Sequence, residues 1–319
     1  GLCRRIDGQG FHQGYKAYST EWYFKKGGNR VKGFAMRNFF KQFGKAVCYL
    51  LLFVGMQFLV SFAFQFIFIF TEAFRLAAVG AEFDVQAITE RVVEAIYANI
   101  GLILLLSNGL TVLFLWLFSR IRKKKLAAEA ELAPFSMKLL PILLLLGLSL
   151  NVFVSFGMGF LPEWMLEDYM QEITGVFGTT TLLTVAAQVV AAPVAEEVIF
   201  RGMVFSRMRK AVPVAAAAAV SSAAFGLVHG QILWMAYAFL LGLLFCAVAW
   251  KTDSVLAAVV LHMMFNLGGV VLPYLPIGGT PAAGVLITAA AGALSVVLLL
   301  LLFRSCSRRK DTGCVSQNP

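Results

Sequence analysis

The stretch PILLLLGLSLNVFVSFGMGF, residues 141–160, runs for twenty residues without a charge. As a helix rising 1.5 Å per residue it reaches across the roughly 30 Å hydrocarbon core of a bilayer. Working outward, comparable runs occur at 46–70, 98–118, 179–195, 212–228, 232–250, 254–272 and 284–303, the last ending LSVVLLLLLF at Phe303. With 139–160, where the first run sits, they make eight candidate spans. Only 14% of the 319 residues are charged and 60% are hydrophobic, against about 25% charged in a soluble domain. The expected fold is all-α, a polytopic membrane protein of about eight transmembrane helices.

The net charge of +10 raises nucleic acid as a partner, but its distribution points to a membrane and to no nucleic acid. Residues 1–45 carry ten Lys or Arg, 119–138 six, 201–210 four and 304–319 four, whereas 71–97 carries two and 161–178 none. Those two poorly basic segments, read as outer loops, hold nine of the seventeen acids. Lys and Arg collect in cytoplasmic loops, so eight spans place both termini and the basic segments inside, in a plasma-membrane protein. The five cysteines, at 3, 48, 246, 306 and 314, form no CxxC pair, which indicates neither a disulfide framework nor a zinc ribbon.

The organisation reads as a basic cytoplasmic leader (1–45), two spans (46–118), a basic linker (119–138) ending in LAAEAELAPF, a six-span domain (139–303) and a basic tail (304–319). The leader lacks the pattern of a cleaved secretory signal, and its stretch from Tyr15 to Lys45 reads as an unstructured juxtamembrane segment or one lying on anionic lipid. The first two spans contain no acid or histidine. Every ionisable group in an apolar setting lies downstream.

Charge in hydrocarbon is costly and marks function by default. Glu196 and Glu197 follow the apolar run TLLTVAAQVVAAPVA (181–195), and Arg201 follows four residues after Glu197. That spacing sets Glu197 and Arg201 on one helix face with the acid first, the better order for an ion pair. Glu196, about 100° around the helix, is left free to take a proton. Two histidines lie in apolar sequence: His229 in SSAAFGLVHG, sharing a face with Phe225, and His262 in VLAAVVLHMMFN, sharing a face with Asn266. Each feature has a plain alternative, a helix-bracing ion pair or a histidine bonded across to its neighbour. Together they favour one shared polar site. There is no HExxH, no GxSxG and no Asp within a span, while Ser221 and Ser222 sit among alanines that suit close helix packing.

Three motifs in this order, Glu196-Glu197-Val-Ile-Phe-Arg201, Phe225-Gly-Leu-Val-His229 and His262-Met-Met-Phe-Asn266, resemble the CPBP family of CaaX-protease and bacteriocin-processing membrane proteins, also called Abi, over about 175–275. The resemblance implies a CaaX-protease-like (type II) helical bundle that hydrolyses a peptide bond of a membrane-associated protein or peptide. In it Glu196 and His229 activate a water, His262 and Asn266 hold the oxyanion, and Arg201 secures Glu197. A metalloprotease variant, with Glu196, His229 and His262 as ligands of zinc, stays open beside it. So do a non-enzymatic role of the same fold, such as bacteriocin immunity or scaffolding, and a proton-coupled transporter using the two glutamates. One depth is inconsistent: with a span ending at 195, Glu196 lies near the inner surface and His229 near the outer one. A common site therefore requires the Glu196 helix to continue past Arg201, with the loop 206–216 or the turn at His229 dipping into the protein.

Overall fold

In a computed structural model, residues 28–80, 84–177, 181–277 and 279–306 are described, with side chains for all of these except 28–35 and 176–177. His12, Cys3 and Cys314 lie outside them, as do the first half of the leader and most of the tail. The described residues are helical, with no strand among them, which follows from the solvent: hydrocarbon offers backbone N–H and C=O groups no partner, so each segment must satisfy its own. In order the helices are α1 (Gly28–Ala78), α2 (Val85–Ala98), α3 (Ile100–Ile121), α4 (Met137–Met158), α5 (Glu163–Phe177), α6 (Leu182–Met208), α7 (Val214–Leu227), α8 (Ile232–Thr252), α9 (Val255–Tyr274) and α10 (Pro281–Cys306).

Seven of these, all but α2, α5 and α7, are long and apolar enough to cross a membrane. The eighth expected span, 212–228, is the 14-residue helix α7. It starts only after Pro213, the N-cap, and ends at Leu227, beyond which the chain turns at Gly230 with φ +78. Three other expectations are corrected. Residues 28–45 of the leader are helical and continuous with the first span. Within the acidic segments expected as loops, 71–78 is the end of α1, 85–97 lies in α2 and 163–177 is α5. The first half does contain one ionisable group in an apolar setting: Glu72, 7% exposed, is paired with Arg75 at 2.8 Å and with Arg91.

The basic segments meet at one end of the bundle. Asn38 of α1 donates to the Lys210 carbonyl at 2.8 Å. Glu129 takes Arg122, Lys124 and Arg207, Arg209 pairs with Glu131, and Val255 N donates to the Glu131 carbonyl at 3.1 Å. The linker thereby ties together the ends of α3 and α6 and the start of α9.

Helix α6 is the centre of the bundle, packed on α1, α3, α7, α8 and α9; every residue from Val198 to Phe205 is buried. Helix α4 packs on α9 and α10, with Ser149 and Ser295 hydroxyls 2.8 Å apart. Without a hydrophobic drive between helices in lipid, close backbone approach at small residues does this work. A Cβ on Gly147 would stand 2.6 Å from Met264 Cβ and 2.7 Å from the Leu261 carbonyl oxygen. Gly147→Ala should therefore lower stability by about 1–3 kcal/mol through overpacking, read as a lower unfolding midpoint in detergent; an unchanged midpoint would contradict this α4–α9 contact.

Candidate active site

The span expected at 179–195 continues to Met208 as one helix, and this resolves the depth conflict. Glu196 lies fourteen residues from Leu182 and twelve from Met208, about 21 Å and 18 Å along the axis. His229, fifteen residues from Val214, is about 22 Å from the same end. The turn bearing His229 thus comes to the level of Glu196, as a shared site requires.

Within α6, Ala187–Ala191 and Val198–Phe205 are wound as π-helix, and the two glutamates lie between these wide turns. Wide turns of this kind are rare and concentrate at functional sites. The first has a local cause: Pro193 has no N–H, and its ring would clash with the Val189 carbonyl in a regular helix. The second faces the linker, where Gly202 admits Ala130 so closely that a Cβ would stand 2.8 Å from its Cβ.

The two carboxylates are treated differently. Glu197, 0% exposed, receives Arg201 Nη1 at 2.9 Å and His262 Nδ1 at 2.9 Å, both on Oε1. Arg201, also 0% exposed, adds a bond from Nη2 to the Gly242 carbonyl at 3.3 Å and lies over the rings of Phe225 and Phe245, at 4.3 and 5.1 Å. Glu196 instead lines a cavity of about 1040 Å³, with His229, His262, Asn266 and Gln188. Its Oε2 is 3.8 Å from His262 Nε2.

Partners fix both imidazoles. His229 Nδ1 is 2.7 Å from the Phe225 carbonyl oxygen, which can only accept. That nitrogen therefore carries the proton, and Nε2 is left as an acceptor. His262 Nδ1 faces the Arg201-paired carboxylate of Glu197 and donates to it, leaving Nε2 towards Glu196. The rings are wedged by aromatic neighbours: His229 between Phe225 and Trp234 at 4.9 and 5.1 Å, His262 on Phe245 at 4.8 Å. Asn266 Nδ2 donates to the Gln188 carbonyl at 2.8 Å, so one of its two N–H groups is committed to the backbone of α6.

Every site residue expected from sequence is thus brought to one place: Glu196, His229, His262 and Asn266 on the cavity wall, Glu197, Arg201 and Phe225 around them. Sequence reading did not find the Glu197–His262 bond, nor Gln188, Trp234 and Tyr237 in the wall; the one available sign was Pro193 inside an apolar span. Tyr237 meets Tyr169 of α5 edge to face, ring centroids 6.3 Å apart. Burial holds the Tyr169 phenol above its usual pKa, so it stays neutral.

Zinc would suit the chemistry of these donors, since two imidazoles and a carboxylate are an ordinary catalytic set. Glu196 and His262 approach as a pair, but among the described residues no three His, Cys, Asp or Glu gather closely enough to hold an ion. The arrangement as it stands does not fit a three-ligand centre.

No curated protein and no solved structure matches the chain. Residues 178–268 match the family described as type II CAAX prenyl endopeptidase Rce1-like, a segment under a third of the chain that contains all three motifs. Over residues 178–268 this helical membrane protein is therefore similar to the Rce1-like type II CAAX prenyl endopeptidases.

Proposed function

We propose that the protein is an intramembrane endopeptidase that hydrolyses a peptide bond of a membrane-associated protein or peptide, using water activated by Glu196 and His229. The observation that carries this reading is the 3.8 Å approach of Glu196 to His262 Nε2 on the wall of a cavity shared with His229. A carboxylate without an ion partner of its own and an imidazole held as an acceptor are two bases directed at one space. The water gives its proton to this pair as its oxygen attacks the scissile carbonyl.

His262 is placed to complete the cycle. A proton taken by Glu196 passes to His262 Nε2, and the resulting imidazolium is stabilised at Nδ1 by Glu197, as a buried carboxylate stabilises the histidine of a serine-protease triad. The protonated Nε2 then hydrogen-bonds the oxyanion and transfers its proton to the leaving amine as the C–N bond breaks. Arg201 holds Glu197 at 2.9 Å, and burial strengthens each of these interactions. The basic end of the bundle is assigned to the cytoplasm by the distribution of Lys and Arg, in the plasma membrane.

The test is cleavage by the purified full-length chain in nanodiscs, with reporter peptides anchored by a prenyl group, by an acyl chain or by a hydrophobic segment. A single cut, mapped by mass spectrometry, is expected in at least one of them. Failure on every anchored peptide would leave the non-enzymatic role of the same fold as the better account. Dialysis against 1,10-phenanthroline should leave the rate within about twofold of the untreated rate, the scatter of context-dependent effects; loss restored by added zinc would overturn the metal-free route.

A further inference from the structure

Residues Ala187–Ala191 of α6 are π-helical, so N–H groups there reach back five residues instead of four. Ala192 N–H donates in this register to the Ala187 carbonyl. The next carbonyl, that of Gln188, would look to residue 193, which is proline and has no N–H. At that carbonyl stands Asn266 Nδ2, 2.8 Å away and seventy-eight residues distant in sequence. A side-chain donor from a neighbouring helix is one way a proline-interrupted span keeps its backbone satisfied.

The same face of α9 carries His262, four residues before Asn266. Helix α9 therefore grips α6 at two points: His262 on Glu197 at 2.9 Å, and Asn266 on Gln188 nine residues earlier. Between them lie Pro193 and Glu196. A two-point grip fixes rotation as well as position, and rotation decides the site, because each residue added to or removed from a turn swings everything after it by about 100°. A regular turn in place of the wide one would carry Glu196 off the cavity wall.

We propose that Asn266 is a positioning residue: it supplies the Gln188 carbonyl with the N–H that Pro193 lacks, and so locks the wide turn of α6 at the rotation that presents Glu196 to the cavity. Its part in the reaction rests on the hydrolase reading above; the clamp itself does not. Through the N–H committed to Gln188, Asn266 then acts by way of Glu196.

The test is a double-mutant cycle in the full-length chain in nanodiscs with Asn266→Leu, Pro193→Ala and both together. Pro193→Ala returns an N–H to position 193, so the backbone can take over the work of the amide. Asn266→Leu should lower the unfolding midpoint by about 2–4 °C in the original background and by less than half as much beside Pro193→Ala. In cleavage, each single variant should lose about a hundredfold in kcat through misplacement of Glu196, and the double variant should lose no more than the worse single one. Midpoint shifts that add would overturn the clamp. A double variant whose kcat loss is the product of the two single losses would overturn the positioning role, since Asn266 would then serve the reaction directly. If Asn266→Leu does not fold, Asn266→Ala carries the same comparison. Absence of cleavage by the unaltered chain would defeat the hydrolase reading alone, and the midpoints would still decide the clamp.

Discussion

Glu196→Gln should lower kcat/KM for an anchored peptide by about a thousandfold or more, with the unfolding midpoint unchanged. The substitution keeps the size of the side chain and removes only its basicity. General-base assistance contributes about 10²–10⁴ in rate, and here loss of the base also cuts the path by which the proton reaches His262 Nε2, 3.8 Å away. Stability should hold because Glu196 Oε2 faces the cavity and makes no ion pair with Arg201, whose contact is with Glu197. His229→Gln should act in the same direction with a smaller loss, since Glu196 remains to take the proton. A loss below tenfold in Glu196→Gln would show that another group activates the water.

Arg201→Ala should destabilise the protein by about 3–5 kcal/mol, the cost of removing one partner from a buried ion pair. Glu197 is 0% exposed, so no solvent is at hand to replace the guanidinium, and the bond to the Gly242 carbonyl and the contacts with Phe225 and Phe245 go at the same time. Arg201→Lys is not a conservative change, because a point charge cannot serve two acceptors and two rings from one plane. The pair Glu197→Gln with Arg201→Met should recover much of the stability, since buried ion pairs are often replaceable by apolar groups of similar volume. It should not recover activity, because His262 would then lack the carboxylate at Nδ1. Denaturation midpoints alongside cleavage rates separate these effects; full activity in the double variant would remove Glu197 from the mechanism.

The parts of the site that depend on local spacing were legible in the sequence. Glu197 and Arg201 at i and i+4 face each other in any helix, and they are paired at 2.9 Å. The same rule joined Phe225 to His229 and His262 to Asn266. What spacing does not encode is where a helix stops when its charges cancel. Glu196, Glu197 and Arg201 look like the end of a span to hydropathy, yet Arg201 and Glu197 satisfy one another, so the chain continues buried to Met208. The bond between Glu197 and His262 spans sixty-five residues and depends on the rotation of two helices, which no local pattern carries. Helix α7 is apolar enough for a span but too short, since it runs only from Val214, after Pro213, to Leu227, before the turn at Gly230. The acidic segments were misread as loops because amphipathic helices at a membrane surface show the same charge as solvated loops; Val85–Ala98 has Asp84 as its cap, accepting from the N–H groups of Gln86 and Ala87, a signal visible only once a helix is sought there.

Oxygen-isotope tracing during cleavage bears most directly on the claim that these helices assemble a water-activating site in the bilayer. With the purified chain in nanodiscs and solvent enriched in H₂¹⁸O, each new carboxyl terminus should carry one solvent-derived oxygen, and Glu196→Gln should release almost no labelled product over the same period. Labelled product formed by Glu196→Gln at the unaltered rate would contradict the account.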